Sequence, residues 1–203
     1  MAQFNGMTLT NAGRNILAKA LLGKPLKFTC AWVGDGYSPE KEEIPAMTQI
    51  VSPHSRKEIA EMSIPPHIGT ANITVIFTNK ELTTGFFLRE VGLYAEDPDT
   101  GEELLYGYTN AGDTADYMPG YGGADTVYYR FSLSVIVDQA KNVTAVFSED
   151  PLAVTHRQLD TKIDTLLKHF MEREALLQYQ IDCLAEASIM NSLEHVGQKH
   201  FAG

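Results

Sequence analysis

The apolar residues follow two different periods, one before and one after about residue 150. In the first part they alternate with polar residues in short runs between turn-forming residues, which is typical of a β-sandwich or a related antiparallel fold. In the second part they recur every three or four residues, as on a helix. The sequence therefore predicts an α+β protein. Residues 1–150 form a mainly antiparallel, β-sandwich-like domain, and residues 151–203 form a long helical segment.

The first part is predicted to contain one short helix followed by strands. Thr10 is a suitable N-cap for this helix, and Gly23 followed by Pro25 ends it. Its apolar face consists of Ile16, Leu17, Ala20 and Leu21. The predicted strands are Leu26–Val33, Arg56–Ile64, Asn72–Phe77, Phe86–Ala95, Glu103–Thr109, Thr126–Val137 and Asn142–Phe147.

The segment EDPDTGEE, residues 96–103, separates two of these strands. Pro98 restricts φ and Gly101 suits a left-handed conformation, so the flanking strands are predicted to pair as a hairpin. The same segment has the D-x-D-x-G spacing of some calcium loops, in which alternate carboxylates reach one ion. The rest of a twelve-residue calcium loop is missing, which favours a plain turn.

The second part is predicted to be one long helix. Thr155 and Gln158 have the spacing of a capping box, and no Pro or Gly follows until beyond about Leu193. An apolar seam runs through Leu159, Ile163, Leu166, Phe170, Leu177, Ile181 and Leu184. Arg173 interrupts it, and two successive four-residue steps indicate a stutter in a coiled coil. We expect an imperfect coiled coil or helical bundle that holds copies together. The alternative is a helix that packs on its own domain.

The run GFFLREVGLYA, residues 85–95, places two opposite charges in the middle of an apolar strand. Strand alternation puts Arg89 on one face and Glu90 on the other, and both faces are otherwise apolar. An unpaired charge on a covered face costs several kcal/mol, so each residue needs a partner. One alternative is an internal ion pair. The other is that one face is a protein–protein interface whose register Arg89 or Glu90 determines.

Two further segments are candidate sites. The turn GDG, residues 34–36, could hold an anion on its backbone N–H groups, but the spacing of a phosphate-binding motif is missing, which favours an ordinary turn. The connection between residues 110 and 125 is long for a compact domain, which suggests a functional or a mobile loop. It carries Tyr117 and Tyr121, whose amphipathic side chains suit a contact surface.

Composition and charge exclude several classes of function. The net charge of −10 disfavours nucleic acid as a partner, and no apolar run has the roughly 20 residues of a membrane helix. Cys30 and Cys183 are too far apart in sequence for a metal knuckle, and the six histidines form no i,i+4 zinc pair. We expect no catalytic site, no metal and no cofactor. No secretory signal is apparent at the start, so we expect synthesis in the cytoplasm.

Two stretches of the sequence resemble a known family. They are MTLTNAGRNILAKALLGKPLKFTCAWVGDG and ITVIFTNKELTTGFFLREVGLYAEDPDTGEELLYGYTNAGDTADYMP, and the likeness extends over roughly residues 7–147. They are similar to the N-terminal domain of tail fibre proteins from contractile-tailed bacteriophages and phage-tail-like bacteriocins. The resemblance implies a domain that attaches a fibre to the baseplate, a fibre that is generally trimeric, and a receptor-binding tip at the C-terminal end.

We therefore expect a non-enzymatic structural protein of a phage or phage-like tail, either a short fibre or an adaptor. Its partners would be baseplate proteins, further copies of itself in a homo-oligomer, which the resemblance implies is a trimer, and a separate fibre or receptor-binding subunit. One alternative is a carbohydrate-binding module that uses Tyr106, Tyr108, Tyr117 and Tyr121 as stacking platforms. Another is a cell-wall hydrolase, which would need paired carboxylates such as Asp113, Asp116 or Asp125.

Overall fold

A computed structural model of the chain describes residues 3–4, 6–65, 69–122, 126–148 and 163–184. The chain divides into two compact units, Met1–Ala153 and Val154–Gly203. Within its described residues, the first unit contains the helix α1 (Asn11–Leu21) and eleven strands. The strands are β1 (Thr8–Leu9), β2 (Leu26–Gly34), β3 (Pro53–Glu58), β4 (Glu61–Ser63), β5 (Thr70–Thr78), β6 (Phe86–Leu88), β7 (Glu90–Glu96), β8 (Glu103–Asn110), β9 (Asp116–Met118), β10 (Tyr128–Ile136) and β11 (Val143–Ala145). In the second unit, residues 163–184 form the helix α2.

The strands form three sheets. The largest has the order β1-β8-β7-β2-β11, and β3 also pairs with β2. A second sheet has the order β10-β5-β4, and β6 pairs with β9 in a two-stranded sheet. All of these pairs are antiparallel except β11 with β2. The predicted α+β class with mainly antiparallel strands is therefore confirmed.

The two larger sheets bury side chains in one common core. Phe28 and Leu93 enter it from the large sheet, and Val75 and Leu133 enter it from the three-stranded sheet. A second, smaller cluster includes Tyr94 and other side chains of the large sheet, together with Ile44 and Ile50 from the segment between β2 and β3. Strand β7 contributes to both clusters because successive side chains point to opposite faces. This explains why its sequence is apolar on both faces.

The short helix begins and ends where local sequence signals place it. The backbone N–H of Gly13 donates to the Thr10 Oγ1 at 3.0 Å, which is the N-cap bond that the sequence predicted. Gly23 has a φ of 98°, the left-handed conformation that ends many helices. Ile16 and Ala20 are buried as expected. Leu21 is different, because nearly half of its side chain is exposed although the sequence placed it on the apolar face.

The hairpin between β7 and β8 also follows the sequence. The two strands pair, and Gly101 has a φ of 76°. The two aspartates of the turn bind lysines, since the Lys19 Nζ lies 2.6 Å from an Asp97 carboxylate oxygen and 2.9 Å from an Asp99 oxygen. These lysine contacts, with Lys24 beside Asp99, hold the pKa of both carboxyls below its usual range. The segment is a turn whose carboxylates are bound by lysines.

Two predicted strands are each divided into two, for a topological reason. The predicted strand Arg56–Ile64 becomes β3, which pairs with β2, and β4, which pairs with β5. The chain passes from one sheet to the other between them. The predicted strand Phe86–Ala95 is divided at Arg89, because β6 pairs with β9 whereas β7 pairs with β2 and β8. The Arg89 N–H donates to the Gly34 carbonyl oxygen at 3.0 Å, at the point where the strand is interrupted.

Candidate protein-binding surfaces

Glu90 is the first residue of β7, and its carboxylate lies in the interior of the domain. The side chain is fully buried. One carboxylate oxygen accepts from the N–H of Ser52 at 2.6 Å and from the N–H of Gly36 at 3.2 Å. The other accepts from the N–H of Val51 at 2.9 Å and from the Tyr108 hydroxyl at 3.1 Å. Four donors therefore surround a carboxylate that has no access to solvent.

The glycine turn GDG forms one wall of this site. A Cβ at Gly36 would lie 2.6 Å from the Glu90 Oε1 and 2.5 Å from the Val51 Cβ, so a larger residue would displace the carboxylate or the backbone beside it. Asn110 joins the same network, because its Nδ2 donates to the Gly36 carbonyl oxygen at 3.0 Å and to the Tyr108 hydroxyl at 2.8 Å. The turn thus uses a backbone N–H to bind an anion, and that anion is the chain's own Glu90.

Burial raises the pKa of the Tyr108 hydroxyl, and the neighbouring Glu90 carboxylate raises it further. The hydroxyl therefore keeps its proton at neutral pH and donates it to Glu90. The sequence predicted that Glu90 forms an internal ion pair or lies at a protein–protein interface. The structure shows neither arrangement for Glu90. Its partners are backbone N–H groups and a hydroxyl of the same chain, and it is inaccessible to another protein while the domain is folded.

Arg89 has the opposite environment, although it is the adjacent residue. It is half-buried, and its guanidinium carbon lies 4.5 Å from the centre of the Tyr37 ring and 4.8 Å from the centre of the Phe87 ring. Its Nη1 donates to the Asp35 carbonyl oxygen at 3.3 Å. Among the described residues, the buried Nε has no acceptor and no carboxylate forms an ion pair with the guanidinium. The cation is held by aromatic rings and one carbonyl group.

These rings continue into an exposed aromatic surface. Phe87 and Tyr117 are opposite each other in the β6–β9 pair, with ring centres 5.2 Å apart. The exposed fractions are 66% for Tyr37, 44% for Phe87 and 51% for Tyr117. We call Tyr37, Phe87, Arg89 and Tyr117 the Arg89 surface. Sequence reasoning found Arg89 and Tyr117 but not Tyr37, which lies in the polar segment after β2 and has no periodic signal.

Tyr121, the other tyrosine of the predicted contact loop, is also exposed. Its backbone N–H donates to the Leu82 carbonyl oxygen at 2.7 Å, which fixes that end of the loop. The backbone oxygen of Tyr117 accepts from the Tyr129 hydroxyl at 3.1 Å, which ties the Arg89 surface to β10. The loop that carries both tyrosines is therefore attached to the domain on two sides.

An acidic group lies beside the Arg89 surface. The Asp35 carboxylate is 3.0 Å from the His54 Nε2, and the His54 ring stacks on Phe86 with ring centres 4.3 Å apart. Partial burial acts to raise the pKa of Asp35, but hydrogen bonds from Ser52 and His54 and the charge of Arg89 lower it overall. The negative Asp35 and the positive Arg89 thus lie next to each other at the edge of this surface.

Two of the four tyrosines that were proposed as sugar-stacking platforms are buried in the structure. Tyr106 and Tyr108 are buried, with relative exposures of 0% and 1%, so neither ring can stack on a sugar. Tyr117 and Tyr121 remain exposed. Of the acidic residues considered for hydrolysis, Asp113 and Asp116 lie in or before β9, and Asp125 lies outside the described residues.

Helix α2 contains six of the seven residues of the predicted seam, and Leu159 lies outside the described residues. The six are Ile163, Leu166, Phe170, Leu177, Ile181 and Leu184, and all are exposed in the single chain. At about 100° per residue, they and Leu167 fall within an arc of about 100° on the helix. Leu167 was missed because it follows Leu166 directly and breaks the three-and-four spacing. None of the described helices is long and apolar enough to cross a membrane.

Comparison with known families supports the resemblance that the sequence indicated. The model of a family described as "phage tail-collar fibre protein, N-terminal" matches residues 1–166 of the chain. Searches among curated proteins and among solved structures found no significant match. The match covers all of the strands described above and extends to the first residues of α2.

Proposed function

This chain belongs to the phage tail-collar fibre protein family, and we propose that it is the part of a tail fibre that attaches to the baseplate of a contractile tail. Membership makes it a structural protein of a phage tail fibre, located in the tail of the virion. The attachment surface and the association of copies are proposed from the exposed residues of the described chain.

The observation that carries the proposal is the Arg89 surface. Two exposed aromatic rings, Tyr37 and Phe87, lie against an arginine that has no carboxylate partner among the described residues, and the exposed Tyr117 ring packs against Phe87. Tyrosine and arginine are enriched at the centres of protein interfaces, because they combine a large apolar area with polar groups that a partner can satisfy. A monomer gains little from leaving such a group exposed. We therefore assign baseplate attachment to this surface, and Tyr121 to its margin.

Helix α2 supports the second half of the proposal, which is association of copies. Its apolar residues occupy one arc of the helix, and a partner is needed to remove them from water. Glu174 falls near the centre of that arc and Arg173 at its edge, where the seam is interrupted. We propose that the seam from Leu159 to Leu184 joins copies of this chain, three as in the family it resembles, or joins a separate fibre or receptor-binding subunit.

Reconstitution tests the attachment surface. Particles of the phage or phage-like element that encodes this chain would be purified from a strain that lacks its gene, mixed with purified protein and sedimented. The wild-type protein should sediment with the particles. The double variant Arg89→Ala, Tyr117→Ala should remain in the supernatant. Tyr179→Ala is the control, since Tyr179 is an exposed tyrosine that lies on α2 away from the seam. Equal sedimentation of the double variant and the wild type would refute the assignment.

The seam is tested separately by the mass of the protein in solution. Ile163→Asp combined with Phe170→Asp places two carboxylates on the apolar arc, so the mass in analytical ultracentrifugation should decrease. Leu176→Asp is the control, because Leu176 is exposed on the opposite side of α2. An unchanged mass for the seam variant would contradict association through α2. Binding of the β domain to a glycan array would instead support direct recognition of the cell surface.

A further inference from the structure

Two opposite charges lie on or beside the apolar seam of α2. The described residues of α2 include six charged side chains, and all six are exposed in the single chain. At about 100° per residue, Glu174 falls within the apolar arc and Arg173 about 20° beyond its edge. The other four lie about 110° or more from the centre of the arc. They are Asp164, Lys168, Glu172 and Asp182.

The helix itself cannot pair Arg173 with Glu174 or with another residue. Side chains on a helix meet at spacings of three and four residues, and adjacent residues do not face each other. At those spacings Glu174 has no Lys, Arg or His, and Arg173 has no Asp or Glu. Neither side chain forms an ion pair among the described residues. If the seam is covered, each charge therefore needs a partner from another chain.

The spacing along the seam places both charges in one layer of a coiled coil. With Glu174 between Phe170 and Leu177, the steps from Ile163 to Leu184 are three, four, four, three, four and three residues. In a coiled coil, a side chain of one helix inserts into a hole formed by four residues of the facing helix. For parallel helices in register, the hole that receives Glu174 consists of Phe170, Arg173, Glu174 and Leu177 of the facing copy.

The same hole receives Arg173 if that residue is the one that inserts. In both cases the carboxylate of one copy meets the guanidinium of the next. Copies related by a three-fold axis are parallel and in register, so the trimer proposed above has this geometry. Each copy directs its Glu174 to Arg173 of the next copy, and three ion pairs close into a ring without net charge. The two charges are thus complementary to a second copy of the same seam.

We propose that Arg173 and Glu174 form an ionic layer between copies of this chain, which holds the copies parallel and in register. The proposal rests on the association through α2 proposed above. A shift of one copy along the seam would place apolar residues against both charges, and a buried charge without a partner is strongly destabilising. A seam of apolar residues alone would not penalise such shifts in this way, since polar core positions are what specify register.

Exchange of the two charges tests the layer in the full chain. In sedimentation equilibrium, Arg173→Glu gives the layer only carboxylates and Glu174→Arg gives it only cations. Either change should lower the association constant roughly 10- to 100-fold. The combined exchange, Arg173→Glu with Glu174→Arg, reverses the sign of each pair and should restore most of the association. Glu172→Arg is the matched control, because it makes the same change at an exposed glutamate on the opposite side of α2.

A disulfide between copies tests the direction of the helices. In the proposed layer arrangement Ile163 lies beside Ile163 of the next copy, whereas in an antiparallel pair centred on the two charges it lies beside Leu184. Ile163→Cys combined with Cys183→Ser should therefore form a disulfide between copies on mild oxidation, and Cys30 is buried. Leu176→Cys in the same background is the control, since Leu176 is exposed on the opposite side of α2.

The outcomes separate the ionic layer from association through the seam. A wild-type chain that sediments as a monomer would refute both. An oligomer that is lost with Ile163→Asp and Phe170→Asp, but keeps its mass in both single charge variants, would overturn the ionic layer alone. A combined exchange that associates as weakly as the single variants would also overturn it, as would the absence of a disulfide through position 163.

Discussion

Arg89 and Glu90 are adjacent in sequence but belong to two different regions of the molecule. Glu90 is enclosed by four donors of its own chain, and these donors hold the segment between β2 and β3 against the large sheet. Arg89 lies between two rings at the surface, with one carbonyl oxygen as its hydrogen-bond partner. The interruption of the strand at Arg89 separates the two environments. A pair of charges in an apolar run can thus combine one structural residue with one candidate contact residue.

The largest effect is expected where Glu90 is truncated. Glu90→Ala removes the acceptor of three backbone N–H groups and one hydroxyl, and a buried donor without an acceptor costs about 1 to 3 kcal/mol. The free energy of unfolding in urea should decrease by about 2 to 4 kcal/mol, since solvent can satisfy some of the donors that are left. Glu42→Ala is the control, because Glu42 is exposed, and it should change stability by less than about 0.5 kcal/mol. A Glu90→Ala protein as stable as the control would show that the carboxylate is not structural.

A smaller loss is expected at Gly36, which forms the wall of the same site. Gly36→Ala places a methyl group 2.6 Å from the Glu90 Oε1, so the carboxylate or the Val51 backbone must shift. Overpacking of this kind typically costs about 1 to 3 kcal/mol. Gly122→Ala is the matched control, since a Cβ there meets nothing within 4 Å. Equal stability of the two alanine variants in urea would mean that Gly36 does not pack closely against the Glu90 carboxylate.

Arg89→Ala should change stability least of the three substitutions while it abolishes attachment. Each aromatic contact of the half-buried guanidinium is worth about 0.5 to 1 kcal/mol, and removal of the buried Nε without an acceptor offsets part of that loss. We expect a decrease of about 1 kcal/mol or less in urea. Arg89→Lys keeps the charge but loses the planar group that stacks on both rings. A decrease as large as that of Glu90→Ala would mean that Arg89 is a structural residue.

The smallest expected effect is the loss of folded-state stability at acidic pH. The folded-state pKa values of Asp35, Asp97 and Asp99 are all below the ordinary value of 3.8. A depressed carboxyl pKa stabilises the folded state above the ordinary value, and this contribution is lost as the pH falls through the folded-state pKa. Thermal unfolding temperature should therefore be nearly constant above pH 5 and decrease below about pH 4. Asp97→Asn should reduce the decrease in unfolding temperature at low pH. An acid profile identical to that of the wild type would show that Asp97 does not contribute to this decrease.

Features that depend on neighbouring residues were predictable from the sequence. The Thr10 cap, the left-handed Gly23 and Gly101, and the β7–β8 hairpin are formed by groups a few residues apart, so the order of residue types is sufficient. The family resemblance was also contained in the order of residues, and the family match agrees with it. In the candidate site, Arg89 and Tyr117 could be named in advance, because a charge in an apolar run and tyrosines in a long connection are visible without coordinates.

The sequence by itself thus determined the class of the fold, the local turns and caps, and the family. The tertiary structure decided the role of each charge and each tyrosine. The donors to Glu90 come from residues that are 18 to 54 positions away, and Tyr37 reaches Arg89 across a similar separation. Whether Tyr108 is buried likewise depends on which strands become neighbours. Such contacts are formed by chain segments distant in sequence, so the spacing of residue types along the chain does not encode them locally.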